Sequence, residues 1–142
     1  MVDVADRDVT VRTAIATGTV LLSKEVVALL RDGAVPKGDV LATARIAGIM
    51  GAKRTPDLIP LCHPIALHGV NIELVITDTG VVITASVKTA DRTGVEMEAL
   101  TAVSVAGLTV IDMVKAIDPG ASITDVQVES KDGGRNGNWK RS

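Results

Sequence analysis

Residues 70–89 read VNIELVITDTGVVITASVKT, and this stretch decides the fold. Val70, Ile72, Leu74 and Ile76 alternate with residues that are mainly polar, and this period of two is typical of a half-buried strand. The tetrapeptide TDTG then supplies turn residues before a second β-branched run, VVITASVKT. The stretch therefore predicts a β-hairpin.

The elements on either side of the hairpin follow from capping residues and hydrophobic periodicity. Ser23 and Asp39 are good N-caps for the apolar-periodic segments that follow them. Prolines at 56, 60 and 64 exclude a long regular element, so an ordered loop is predicted over 55–68. The predicted elements, in order, are a strand over 9–22, helices over 24–32 and 40–54, the hairpin, a helix over 94–117 and a strand over 121–130.

This order of elements predicts an α+β fold with one domain over residues 1–142. Strand, helices, strand, strand, helix, strand is the split β-α-β, ferredoxin-like arrangement, in which helices cover one face of an antiparallel sheet. The other face has no cover in a single chain. An uncovered aliphatic face predicts an oligomer or a groove. The glycine-rich, basic tail over about 131–142 is predicted to be flexible.

Composition limits the classes of function. The chain has no Phe or Tyr, one Trp and a net charge of −2, so it lacks the aromatic platforms and the positive charge of a general nucleic-acid binder. A single Cys cannot form an internal disulfide. The first residues, MVDVADRDVTVR, contain no apolar signal core. The apolar stretch AVSVAGLTVI is about half of the roughly 20 residues that span a membrane. We expect a cytoplasmic protein with no membrane or nucleic-acid partner.

The loop PLCHP, residues 60–64, places the only Cys beside one of two His residues. The flanking prolines make this loop stiff, so Cys62 and His63 would be presented from a fixed platform. A structural role for His63 is an equal alternative. A zinc site is disfavoured because there is no second Cys and no paired ligand spacing. No metal ligand is therefore predicted.

The long predicted helix carries charged residues at both ends. Glu96 and Glu98 at its start, and Asp112 and Lys115 near its end, can simply complement the helix dipole or form an i,i+3 pair. The apolar neighbours of Asp112 favour partial burial instead, which would shift pKa values and create acid–base candidates. Positions 98 and 112 are about 21 Å apart along a straight helix. Unless the helix breaks at Gly107, a site that uses both ends must be shared between two chains.

Basic residues cluster in loops, which favours a small anionic ligand. Lys37 lies in the turn VPKGD, Lys53 and Arg54 precede the proline loop, and Lys131 and Arg135 lie in KDGGRNG. Neighbouring glycines would let backbone N–H groups approach an anion. The P-loop pattern GxxxxGK[ST] is absent.

Three segments of the chain resemble the sequence of a known protein family. They are KGDVLATARIAGIMGAKRTPDLIPLCHP, TGVEMEALTAVSVAGLTVIDMVKA and KDGGRNG, and the likeness runs through nearly the whole chain from MVDV onward. The chain resembles the cyclic pyranopterin monophosphate synthase family, also called the molybdenum cofactor biosynthesis protein C family. The resemblance implies a lyase that converts 3′,8-cyclo-7,8-dihydroguanosine 5′-triphosphate, made from GTP by an upstream radical enzyme, into cyclic pyranopterin monophosphate with release of pyrophosphate. It also implies a ferredoxin-like fold and a hexamer built as a trimer of dimers, with the site at a dimer interface.

The resemblance implies a role for each residue that matches a family motif. No cofactor is implied, although Mg²⁺ could accompany the triphosphate. The catalytic residues that it implies are Asp112, Lys115 and Lys37. The substrate-binding residues that it implies are Leu61, Cys62, His63, Glu96, Met97, Glu98, Arg12 and Lys131.

Three departures from the family pattern affect details of the site. Many members carry a longer arm before MVDV, Pro56 replaces a bulkier residue, and Arg135 stands where a second Lys is usual. The alternative from another class of function is a non-catalytic, ferredoxin-like regulatory module that binds an anionic nucleotide. A purely structural oligomer, whose charged helix ends act only as caps, is a third hypothesis.

Overall fold

Five strands and four helices make up the structure, a computed structural model that describes residues 1–142. The predicted ordered loop contains one short helix, in which Pro56 occupies the first turn, where its fixed φ is favourable. The elements are β1 (Thr10–Leu21), α1 (Lys24–Asp32), α2 (Val40–Lys53), α3 (Thr55–Leu58), β2 (Gly69–Thr77), β3 (Gly80–Asp91), α4 (Glu96–Val114), β4 (Ser122–Asp132) and β5 (Trp139–Lys140).

The strands form one antiparallel sheet in the order β2-β3-β1-β4-β5. The predicted hairpin is confirmed, since β2 and β3 pair from Gly69↔Lys88 to Thr77↔Gly80. Within the sheet, β2, β3, β1 and β4 have the order of the split β-α-β motif. The predicted ferredoxin-like α+β fold is therefore confirmed.

The predicted caps also form. Ser23 Oγ accepts from the backbone N–H of Val26 at 3.3 Å, and Asp39 Oδ1 accepts from that of Ala42 at 3.0 Å. Each bond satisfies one of the free N–H groups in the first turn of its helix. The cap at Asp39 fixes where α2 begins, and Gly33, in the left-handed conformation, ends α1, so these two residues set the length of the loop that carries Lys37.

Small residues let α2 and α4 pack closely over the sheet. A Cβ added at Gly51 would lie 2.7 Å from Cγ2 of Val105, so only glycine fits at this crossing. Gly48 likewise faces Ala102 and Ala106 of α4. These glycines lie on the buried side of α2, and Met50 is exposed.

The helix α4 is continuous, so Gly107 does not break it. It is the one helix long and apolar enough to span a membrane. In this fold it is the central core helix, with Val103, Ala106, Val110 and Val114 fully buried. Aliphatic side chains of the sheet complete that core, in the absence of Phe and Tyr.

The opposite face of the sheet has no covering element within the chain. Its central positions are more polar than the sequence interpretation assumed. Thr13, Thr17 and Thr19 of β1 alternate with the buried residues, and Thr17 pairs with Thr84 and Ile15 with Ser86 of β3. The face is therefore mixed rather than bare and apolar. Oligomer formation stays a prediction.

The tail begins inside the sheet. Lys131 and Asp132 are the last residues of β4, and Lys131 pairs with Trp139 of β5. The intervening loop turns through Gly133, Gly134 and Gly137, all with positive φ. Pairing of β5 with β4 returns the chain to the sheet, so the glycine loop is anchored at both ends.

Candidate active site

One charged cluster lies at the C-terminal end of α4. Lys37, in the loop between α1 and α2, has its Nζ 3.0 Å from the backbone oxygen of Asp112 and 3.4 Å from its Oδ2. Lys115 Nζ lies 2.8 Å from Oδ1 of the same carboxylate. The structure thus brings together the three predicted catalytic residues.

The expectation that Asp112 and Lys115 are partly buried is wrong for the single chain. Their side chains are 57% and 60% exposed, because Leu108, Asp112 and Lys115 share the outer face of α4. The hydrogen bonds from Lys115 and Lys37, followed by their charges, lower the pKa of Asp112 below its usual 3.8. Asp112 is therefore a carboxylate that holds two ammonium groups side by side.

A second cluster forms where the proline loop meets the first turn of α4. The Sγ of Cys62 lies 3.6 Å from Oε1 of Glu98, whose residue surface is only 2% exposed. The other carboxylate oxygen of Glu98, Oε2, has no hydrogen-bond partner. A buried oxygen without a donor is costly, and it marks a place where a proton or a ligand N–H group would be stabilised.

Burial raises the pKa of both members of this pair. Desolvation raises the pKa of Cys62 to about 11, with further contributions from the charge and the hydrogen bond of Glu98. Desolvation likewise raises the pKa of Glu98 above its usual 4.5. Cys62 is thus a protonated donor rather than a nucleophile.

The remaining residues of the two predicted substrate-binding segments have different environments. Leu61 is 70% exposed and Met97 is also exposed, whereas His63 is half-buried. His63 Nε2 lies 2.6 Å from the backbone oxygen of Val2. The structure therefore links Cys62 to Glu98 directly, and leaves Leu61 and Met97 with side chains open to solvent.

A polar cleft of about 240 Å³ opens beside the start of α4. Lys131 Nζ lies 3.4 Å from Oε1 of Glu96, and Arg12 Nε donates to the backbone oxygen of Asp91 at 3.1 Å. Arg135, one of the departures from the family pattern, also lines the cleft. Its lining residues are Arg7, Arg12, Thr13, Thr93, Gly94, Val95, Glu96, Lys131, Asp132, Gly133, Gly134, Arg135 and Asn136.

The excess of cations in this cleft, called here the anion cleft, favours an anionic ligand. Four of its side chains are Lys or Arg, against Glu96 and Asp132. Because Gly134 has no Cβ, the guanidinium of Arg12 can lie where that atom would be in any other residue. Sequence reasoning missed Arg7, although the charged segment MVDVADRDVTVR contains it five residues before Arg12.

The predicted residues form two groups that one chain does not bring together. The Cys62–Glu98 pair and the anion cleft lie at the N-terminal end of α4, and the Lys37–Asp112–Lys115 cluster lies at its C-terminal end. Along the unbroken helix the separation from Glu98 to Asp112 is about 21 Å. No cluster of three His, Cys, Asp or Glu side chains is arranged to hold a metal ion.

Comparison with known proteins gives a consistent result. The family model described as "MoaC family" matches residues 1–134. A cyclic pyranopterin monophosphate synthase of Streptomyces avermitilis is 70% identical over 142 residues, which is 100% of this chain and 84% of the relative. A protein of Mycobacterium tuberculosis named cyclic pyranopterin monophosphate synthase 2 is 59% identical over 141 residues, 99% of this chain and 84% of the relative. A synthase of Dinoroseobacter shibae is 56% identical over 142 residues, 99% of this chain and 90% of the relative.

Proposed function

The chain belongs to the MoaC family, and on that premise we propose that it is a cyclic pyranopterin monophosphate synthase. It is a lyase of molybdenum cofactor biosynthesis, which converts 3′,8-cyclo-7,8-dihydroguanosine 5′-triphosphate to cyclic pyranopterin monophosphate and pyrophosphate. The observation that carries this function is the 70% identity to a named synthase across the whole chain. The geometry supports a role for each group of residues.

The lysine pair supports acid–base chemistry. Rearranging a purine-derived ring system requires several proton transfers, and positioned side chains accelerate each one. Lys37 and Lys115 both contact Asp112, so the carboxylate fixes two ammonium groups within reach of one ligand. In our proposal these lysines move the protons, and Asp112 orients them through its contacts with both ammonium groups.

The anion cleft supports binding of the triphosphate. Attack of a ribose hydroxyl on the α-phosphate, with pyrophosphate as leaving group, builds negative charge that cations stabilise. Arg12, Lys131 and Arg135 supply such cations around the cleft. The Glu96 carboxylate, paired with Lys131, keeps that ammonium in place until phosphate oxygens compete for it. Mg²⁺ would bind to the triphosphate rather than to dedicated protein ligands.

The Cys62–Glu98 pair and His63 support recognition of the guanine-derived ring and the ribose. The unpartnered Oε2 of Glu98 can accept an N–H or O–H group of the substrate. Pro60 and Pro64 stiffen the loop that carries Cys62, so this wall of the site is formed before the substrate arrives.

A complete site requires two chains in this account. The catalytic cluster and the binding groups lie at opposite ends of α4, about 21 Å apart. If two α4 helices face each other in opposite directions, the C-terminal cluster of one chain meets the N-terminal groups of the other. We propose a hexamer built as a trimer of such dimers. We also propose that the enzyme works in the cytoplasm, where its nucleotide-derived substrate would be made.

The direct test is pyrophosphate and pterin formation from the cyclised GTP intermediate. Native protein should release both products, whereas Lys37→Ala and Asp112→Asn should fail while circular dichroism shows them folded. Asp78→Asn is the matched control, because it removes an exposed ion pair with Arg31 at 3.0 Å that lies outside the clusters. Binding of the intermediate without turnover by native protein would instead favour a nucleotide-binding regulatory module.

A further inference from the structure

The ring of His63 is held by the backbone of the first residues. Its Nε2 lies 2.6 Å from the carbonyl oxygen of Val2. A backbone carbonyl can only accept, so the hydrogen of this bond must be on Nε2. In neutral His63 the other ring nitrogen, Nδ1, is then unprotonated. Nδ1 makes no hydrogen bond within the chain, so it is available as an acceptor.

Residues 2–9, here called the N-terminal strap, have local bonds that give them a defined path. The backbone N–H of Ala5 donates to Oδ1 of Asp3 at 2.8 Å, and that of Arg7 donates to the carbonyl of Val4 at 3.0 Å. Arg7 then lines the anion cleft together with Arg12. The strap thus joins the proline loop at one end to the anion cleft at the other.

We propose that the Val2 carbonyl positions His63 for substrate binding by holding it in the Nε2–H tautomer. His63 then presents Nδ1 as an acceptor for an N–H or O–H group of the substrate. The backbone rather than the side chain does this, since the Val2 side chain points largely into solvent and the residue is 64% exposed. This inference rests on the proposed function, because it assigns Val2 as a positioning residue for a substrate-binding histidine.

The tautomer can be read without any turnover. In ¹⁵N spectra of the neutral imidazole, a nitrogen that carries hydrogen and one that does not resonate far apart. The chain has only two histidines, and His68→Gln removes the second set of signals. The comparison uses a truncated chain in which the initiator Met takes the place of Asp3, so that Val2 is missing. The matched control is full-length Asp3→Met, which loses the same side chain but keeps the Val2 carbonyl.

The expected result is a single Nε2–H tautomer for His63 in the full-length and Asp3→Met chains. In the truncated chain the two nitrogen signals should move toward averaged values. Loss of one positioning hydrogen bond should also raise KM of the truncated chain about fivefold relative to Asp3→Met, with kcat nearly unchanged. His63→Gln, which keeps a donor and an acceptor, should retain more affinity than His63→Leu.

Any of three results would overturn the inference. The first is an Nδ1–H tautomer in the full-length chain, and the second is a set of nitrogen signals that do not change on truncation. The third is a lower KM in the truncated chain, which would make the strap an obstacle to the substrate. If the full-length chain shows the Nε2–H tautomer yet forms no product, the proposed function fails while the positioning of His63 stands.

Discussion

Lys37 donates to two acceptors on Asp112, with Nζ 3.0 Å from its backbone oxygen and 3.4 Å from its Oδ2. The first contact satisfies one of the carbonyl groups that the end of α4 leaves free. The second brings the ammonium to the carboxylate that Lys115 also binds. The loop between α1 and α2 is therefore attached to the end of α4 by the side chain that the proposed chemistry requires.

The lowered pKa of Asp112 predicts a specific dependence of stability on pH. Because hydrogen bonds from Lys115 and Lys37 favour the ionised carboxylate, its contribution to folding is present above the usual pKa of 3.8. It is lost as pH falls through the lower pKa of the folded state. The difference in urea midpoint between native protein and Asp112→Asn should therefore be constant above pH 3.8 and shrink below it. A difference that grows on acidification would contradict this account.

Glu98 should behave in the opposite way. Burial raises its pKa above 4.5, so folding becomes less favourable as pH rises from 4.5 through the folded-state value. Glu98→Gln removes the ionisation, so its free energy of unfolding should exceed that of native protein at neutral pH. Urea denaturation at several pH values measures this gain. Glu96→Gln is the control, and its free energy of unfolding should not increase, since Glu96 is paired with Lys131.

Cys62 should be unreactive at neutral pH. A pKa of about 11 instead of 9.0 means about 100-fold less thiolate at pH 8 than an ordinary cysteine has. The rate of alkylation by iodoacetamide, followed against pH by mass spectrometry, should rise only near pH 11. In Glu98→Gln the profile should move to lower pH, because the negative charge beside the thiol is gone while desolvation remains. A native midpoint near 9 would contradict the burial of the Cys62 thiol against Glu98.

Alanine substitutions at two glycines of the tail distinguish the cost of backbone strain from a loss of anion binding. Gly134 and Gly137 have φ values of +81° and +68°, so alanine at either position should cost about 1–2 kcal/mol of stability. Only at Gly134 would the new Cβ meet the guanidinium of Arg12. Gly134→Ala should therefore raise KM by roughly tenfold, while Gly137→Ala leaves KM unchanged. Equal KM values for the two variants would argue against a role for Arg12 in the cleft.

Local patterns predicted the fold well. Alternation in residues 70–89 and the caps at Ser23 and Asp39 depend on neighbouring residues only, and the structure confirms them. The sequence did not predict the exposure of Asp112, because apolar residues lie on the outer face of α4 as well as on its buried face. Leu108, on the same outer face, is exposed as well.

The site itself was only partly predictable, because it depends on contacts between distant segments. Glu96 and Glu98 look alike in the sequence, yet Glu98 is buried against Cys62 while Glu96 faces the anion cleft. The fit of the proline loop against α4 decides this difference, and no spacing rule encodes it. The path of the first residues, which brings Arg7 to the cleft, is equally non-local.

In the proposed enzyme both ends of α4 serve one reaction, in a site shared by two chains. Lys115→Ala removes a group at one end, and Lys131→Ala removes a group at the other. Each variant alone should be inactive, but co-expressed as a mixed oligomer they should recover about one quarter of native pyrophosphate release. Random pairing gives that fraction, since one site in four combines two intact ends. If tagged mixed oligomers form and stay as inactive as the parents, the shared site is wrong.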